Sequence, residues 1–147
     1  MTNNLTAKFH QGYTLVELMV VLAIITVLAG ATFAAGGHNL SKTARANAKA
    51  KLLDIRAKEE QYFIDNKNYT SNLLDLRLVV ASGDSLFIND KGVAADSSSA
   101  AYEITLLPKD GYTVIANARN RQESNEDEAC TVISINASGS KSPAHCW

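Results

Sequence analysis

From Tyr13 to Ala35 every position is apolar or weakly polar except Glu17, and Leu18 to Ala35 runs 18 residues without a charge. As a helix, the 13–35 stretch would be about 35 Å long at roughly 1.5 Å per residue, enough to cross a hydrocarbon core of about 30 Å. It is apolar on all sides, which does not fit an ordinary half-buried surface helix. The stretch reads as a membrane anchor, because the rest of the chain is too small to wrap a buried helix of that length. A secretory signal has a shorter apolar region followed by a small-residue cleavage site. Gly30-Ala-Thr-Phe-Ala-Ala35 imitates such a site, and cleavage there would release a soluble secreted domain. The length of the run and the carboxylate near its start argue that the stretch is retained. A charge inside a bilayer costs about 2.5–3.5 kcal/mol at the centre and less at the interface, so Glu17 calls for a partner or a place among the headgroups.

Beyond Gly36-Gly37-His38-Asn39, a weak break, the period turns helical, with Ser41 as a candidate N-cap. Ala44, Ala48, Leu52, Ile55, Glu59 and Tyr62 step by three or four, and Leu53 and Phe63 widen the stripe. Lys42, Arg45, Lys49, Lys51, Arg56, Lys58 and Glu60 fill the other sides. The pattern predicts one long helix from Tyr13 to Asp65 with a soft spot, its second half carrying a face for a sheet. Asp65 to Asn72 is a turn-rich exit, and Leu73 to Val80 suits a short helical turn. Residues 81–100 are small and polar, a loop around a short strand at Leu86 to Ile88. The C-terminal third alternates with period two. Strands are predicted at Tyr102–Leu107, Tyr112–Ala118 and Thr131–Asn136, with a Pro108-Lys-Asp-Gly111 turn and a closing Ala137-Ser-Gly139. The fold class is therefore α+β: a long N-terminal α-helix, transmembrane in its first half, packed against a small antiparallel β-sheet, followed by a C-terminal disulfide loop.

The composition fits one domain: 147 residues, a formal net charge of −1, 46% hydrophobic and 20% charged, with no internal repeat. Cys130 and Cys146 suit a disulfide, which closing such a loop would make worth about 3 kcal/mol, although two free buried thiols fit the same residues. A disulfide would imply an oxidising compartment. Zinc is disfavoured, because His145 alone lies near the cysteines and a structural site wants four ligands. Asp84, Asn89, Asp90 and Asp96 do not have the spacing of an EF-hand loop. His10, His38 and His145 accompany no nucleophile motif, and there is no glycine-rich phosphate loop, so neither an enzyme nor a cofactor is expected.

Gly12-Tyr-Thr-Leu-Val-Glu17-Leu-Met-Val-Val-Leu-Ala-Ile-Ile resembles the processing site and anchor of type IV pilins and pseudopilins. Glu59 to Thr70, with Leu73 and Leu76 after it, is similar to the segment after the helix in PilE-like minor pilins. Cys130 to Cys146-Trp147 resembles their C-terminal disulfide region. The resemblance implies a leader peptide at 1–12, an anchor and assembly half at 13–37, and a globular head at 38–147. It implies that a prepilin peptidase cuts between Gly12 and Tyr13 and that Tyr13 is then N-methylated. It also implies that Glu17 takes part in subunit assembly, its carboxylate meeting the Tyr13 amine of a neighbouring subunit. Ala34 stands where many relatives carry proline, so Gly30 and Gly36-Gly37 are the expected points of flexibility.

The resemblance further implies a structural minor pilin of a type IV pilus, supporting assembly, adhesion, twitching motility or DNA uptake. Its partners would be other pilin subunits, the peptidase, the inner membrane, the assembly machinery, and DNA or a host surface. The chain would cross the inner membrane once with its C-terminus periplasmic and then enter an extracellular fibre. Lys42, Arg45, Lys49 and Lys51 after the apolar run oppose that topology by the positive-inside count, whereas the disulfide and the resemblance support it. Two alternatives stand beside this reading. A DNA-binding competence pilin needs an exposed basic stripe on the head, and Arg119 and Arg121 are followed instead by Glu123, Glu126, Asp127 and Glu128. A pseudopilin of a type II secretion system is disfavoured by the Cys-Trp ending.

Overall fold

The computed structural model describes residues 13–33, 36–78, 84–109 and 111–147, with the backbone alone at 30–33 and 36–39. Gly12, Ala34, the leader, part of the 73–80 turn and Asp110 of the hairpin lie outside the described residues. The chain divides into two compact units at Gly36/Gly37.

In the first unit, helix α1 spans Leu15–Phe33. Thr14 caps it: its Oγ1 accepts the Glu17 backbone N–H at 3.3 Å, satisfying one of the donors a helix start leaves open. The hydroxyl of Thr26 donates to the Ala23 carbonyl at 2.8 Å, so this polar group is satisfied within the helix itself. Every side chain from Tyr13 to Ala29 is exposed. Among the described residues, no helix is long and apolar enough to cross a membrane.

In the second unit, helix α2 spans Gly36–Asn66. It begins five residues before the expected cap, so Ser41 lies inside it, buried, with its hydroxyl turned toward the head. The helix ends as Lys67 takes a left-handed φ of 60° and returns its N–H to the Phe63 carbonyl at 2.8 Å. Ala44, Ala48, Leu52, Ile55 and Glu59 are buried as the spacing predicts. Leu53 is not: at 42% exposed it lies one residue, about 100° of helix, beyond the core stripe. Phe63 is partly exposed too and stacks on Tyr69 with ring centroids 4.7 Å apart.

Five antiparallel strands follow: β1 Ser85–Ile88, β2 Tyr102–Leu107, β3 Thr113–Ala118, β4 Val132–Asn136 and β5 Lys141–Ser142. They pair in sequence order as one sheet. The register places Ile104 opposite Ala116 and Ala116 opposite Ile133, so one face of the sheet is uniformly apolar. Tyr102, Ile104, Leu106, Val114, Ile133 and Ile135 join the α2 stripe, Leu73 and Leu76 in one core. The β2–β3 turn ends at Gly111, whose φ is +89°. A Cβ there would sit 3.2 Å from that of Ala137 and against the Tyr69 ring, so both the conformation and the space call for glycine.

Residues 73–77 form a hydrogen-bonded turn where a short helical turn is expected, with Leu73 and Leu76 buried. Between β3 and β4 lies a short helix, α3, Asn120–Asn125, and then a 3-10 turn at Glu128–Cys130. Cys130 and Cys146 form a disulfide that ties this turn to the C-terminus.

Candidate functional site

Two regions carry chemistry, one in each unit. In the first, Thr14-Leu-Val-Glu17 has the spacing of a capping box, and the Thr14 half of that box is formed. Glu17 therefore sits in the first turn of α1, where a carboxylate favours the positive end of the helix dipole. It is exposed, in a helix whose described side chains are otherwise uncharged and exposed. Tyr13 is 79% exposed just before the helix. The chain itself provides neither residue with an ion pair among those described.

In the head, α2 places Arg45, Lys49 and Arg56 on one flank, because steps of four and seven return to the same side of a helix. The β4–β5 hairpin brings Lys141 to that flank. Lys49 feels the charges of Arg45, Glu126 and Lys141; partial burial, then Arg45 and Lys141, lower its pKa. The Arg56 guanidinium lies against Gly139 in the hairpin turn, 3.4 Å from where a Cβ would be. Lys141 Nζ sits 4.8 Å from the Trp147 ring centroid, a cation–π contact. Four cations and one aromatic ring thus share an edge between α2 and the C-terminal hairpin.

Glu126 stands beside them. Its Oε1 pairs with Arg45 Nη1 at 3.0 Å, and the two side chains are 4% and 19% exposed. Its Oε2 accepts from Tyr102 Oη at 2.9 Å and from Gln122 Nε2 at 2.7 Å. Gln122 also donates to the Ser41 carbonyl and hydroxyl, and Ser41 donates to the Asn125 carbonyl. This buried network fastens α3 to α2. Burial and the neighbouring carboxylate push the Tyr102 phenol well above its usual range.

Arg119 and Arg121 fall elsewhere. Arg119 forms a hydrogen-bonded ion pair with Glu103 on β2, and Arg121 lines a cleft of about 300 Å³ with Ser98, Ala100, Asn120 and Asn125. In the sequence Arg119 and Arg121 are followed by Glu123, Glu126, Asp127 and Glu128, and the stripe of cations lies instead on α2. The 45, 49, 56 spacing signalled one flank of it; Lys141 carried no sequence signal, because only the folded hairpin brings it near. Among the described residues, Cys130, His145 and Cys146 are the cluster with metal-ligand geometry, within 4.8 Å of one another. Both sulfurs are spent in the disulfide and offer no thiolate.

Toward the C-terminal end of α2, Glu59 is fully buried. Its Oε2 accepts the Thr70 N–H at 3.2 Å, and its Oε1 has no hydrogen-bond partner. Burial raises its pKa to about 7, and Glu60 and Asp75 push the same way against the Thr70 hydrogen bond. Tyr112 donates to Glu60 at 3.0 Å, and its ring meets Tyr69 edge-on.

A long amphipathic helix laid on an antiparallel sheet, a disulfide closing the C-terminus, and a capped apolar helix in front define the pilin class of subunit. The profile of the family described as "Type IV minor pilin ComP, DNA uptake sequence receptor" matches residues 38–134, more than half of the chain. The chain belongs to this type IV minor pilin family. The prokaryotic N-terminal methylation motif matches residues 8–33. The type IV wide pilus major component PilA4 of Thermus thermophilus is similar, 42% identical over 65 residues. That match covers 42% of this chain and 47% of PilA4, so it spans about half the length of the relative.

Proposed function

We propose that this minor pilin is held in the inner membrane and then built into a pilus through α1, after cleavage between Gly12 and Tyr13 and methylation of Tyr13. Residues 1–12 are then the leader, 13–37 the anchor and assembly segment, and 38–147 the head. The observation that carries this reading is α1 itself: an almost wholly apolar helix whose described side chains are all exposed. Such a surface is stable only in lipid or against other apolar helices. The uncharged run continues to Ala35 in the sequence, giving a length suited to a single crossing with the head in the periplasm. In the fibre the Glu17 carboxylate meets the free amine of a neighbouring Tyr13. Losing one partner of a buried pair costs about 3–5 kcal/mol, enough to fix register. The Glu17→Val variant should insert into membranes normally and be missing from sheared fibres; its recovery in fibres at wild-type level would remove Glu17 from the assembly contact.

The flank Arg45, Lys49, Arg56 and Lys141 favours a second, finer reading, in which the head holds DNA during uptake. The family's description supports it, and so does chemistry: cations along a helix match a row of phosphates. The head's formal balance is slightly acidic, so binding rests on where the charges lie rather than on net charge. The full chain in detergent micelles should shift labelled duplex DNA at low salt, and Lys49→Gln with Arg56→Gln should abolish the shift. No shift for the wild type would leave a purely structural subunit.

A further inference from the structure

We propose that Glu126 is a built-in competitor for DNA: it occupies Arg45 where a phosphate would otherwise bind, and so keeps the basic flank one contact short. This rests on the DNA-holding reading above. Three observations carry it. Arg45 and Glu126 are joined at 3.0 Å with both side chains largely buried, so this pair is far less screened than a surface one. The carboxylate cannot swing aside easily, because Tyr102 and Gln122 donate to its other oxygen and Gln122 is itself tied to Ser41. Finally, Glu126 is the carboxylate whose charge reaches Lys49 among the cations of the flank, so its influence extends beyond Arg45.

A fixed anion within a cationic strip has a defined effect on a polyanion. Phosphate contacts are gained by releasing counterions, and a guanidinium already neutralised by its own protein releases none. Arg45 therefore adds nothing net while Glu126 is ionised. The flank holds DNA through Lys49, Arg56 and Lys141, weakly enough for salt to loosen it.

Replacing the charge without changing the shape isolates the effect. Glu126→Gln keeps one oxygen, which can accept from Tyr102 and Gln122 as Oε2 does, and puts an uncharged amide N–H where Oε1 now meets Arg45. Binding is read by fluorescence anisotropy of a labelled mixed-sequence duplex across a salt series, with the full chain in micelles. Glu126→Gln is expected to bind about tenfold tighter at low salt, the value of a charged hydrogen bond, with a salt slope steeper by about 0.9. Glu128→Gln removes an exposed acid two residues away and is expected to leave the slope unchanged. Arg45→Gln/Glu126→Gln together replace the ion pair by two amides and keep the head folded where the single variant does not; this double variant is expected to bind as the wild type does.

An unchanged or weaker affinity for a folded Glu126→Gln overturns the proposal, as does a double variant weaker than wild type, which would make Arg45 a working contact. In either case the wild type still binds, so the DNA-holding reading survives. If the wild type itself fails to bind at low salt, both fall.

Discussion

Helices α1 and α2 use their side chains in opposite ways. On α1 every described side chain is exposed, although nearly all are apolar. On α2 one stripe, Ala44 to Glu59, is buried under the sheet, while charged side chains fill the flanks. The hydrophobic effect explains both if the partner differs: α2 finds its apolar surface within the chain, and α1 finds it outside. On the proposed function, α2 serves the stability of the head and α1 serves association.

That contrast is open to direct challenge. The largest effect is expected at the α2 stripe. Leu52→Ala should cost the head about 2–5 kcal/mol, as fully buried leucines do, whereas Leu22→Ala on α1 should leave the head's melting transition in place. Urea unfolding followed by tyrosine and tryptophan fluorescence checks both, and a head destabilised by Leu22→Ala would break the distinction. Next comes the disulfide. Reduction, or Cys130→Ser, should cost about 3 kcal/mol, again in the head alone, measured as a lower urea midpoint.

The smallest effect is expected to depend on pH. The carboxyl of Glu59 is raised from an ordinary 4.5 to about 7, so the folded head binds a proton more tightly than the unfolded chain. That contribution is fully present below pH 4.5 and is lost as pH rises through about 7. Glu59→Gln should keep the acceptor for the Thr70 N–H, melt higher than wild type at pH 8 and lose the excess at pH 4.5. A variant that melts lower at pH 8 would mean that the ionised form holds the turn at 70–76.

Much of this was legible in the residues because the periods are strong. The core stripe of α2, the alternation in β2 and β3, and the apolar run at the start all follow from spacing. The T-x-x-E box at Thr14 was equally readable, but a stronger hydrophobic signal lies over it. What spacing could not supply was contact between distant segments. β5 is two residues long and is fixed by pairing with β4, and α3 is held by the Gln122 network rather than by propensity. Ser41 looked like a cap because it follows glycines, yet its hydroxyl serves Asn125 instead. The basic flank was half visible, three cations on one helix, and needed the hairpin to add Lys141.

The most direct test of the central claim, that α1 is kept and works outside its own chain, is the intact mass of the protein extracted from membranes and from sheared fibres. The account predicts one species in both, beginning at N-methylated Tyr13 and carrying the whole apolar helix. A chain beginning at Met1, or one that starts after Ala35 and is found free in solution, would contradict it.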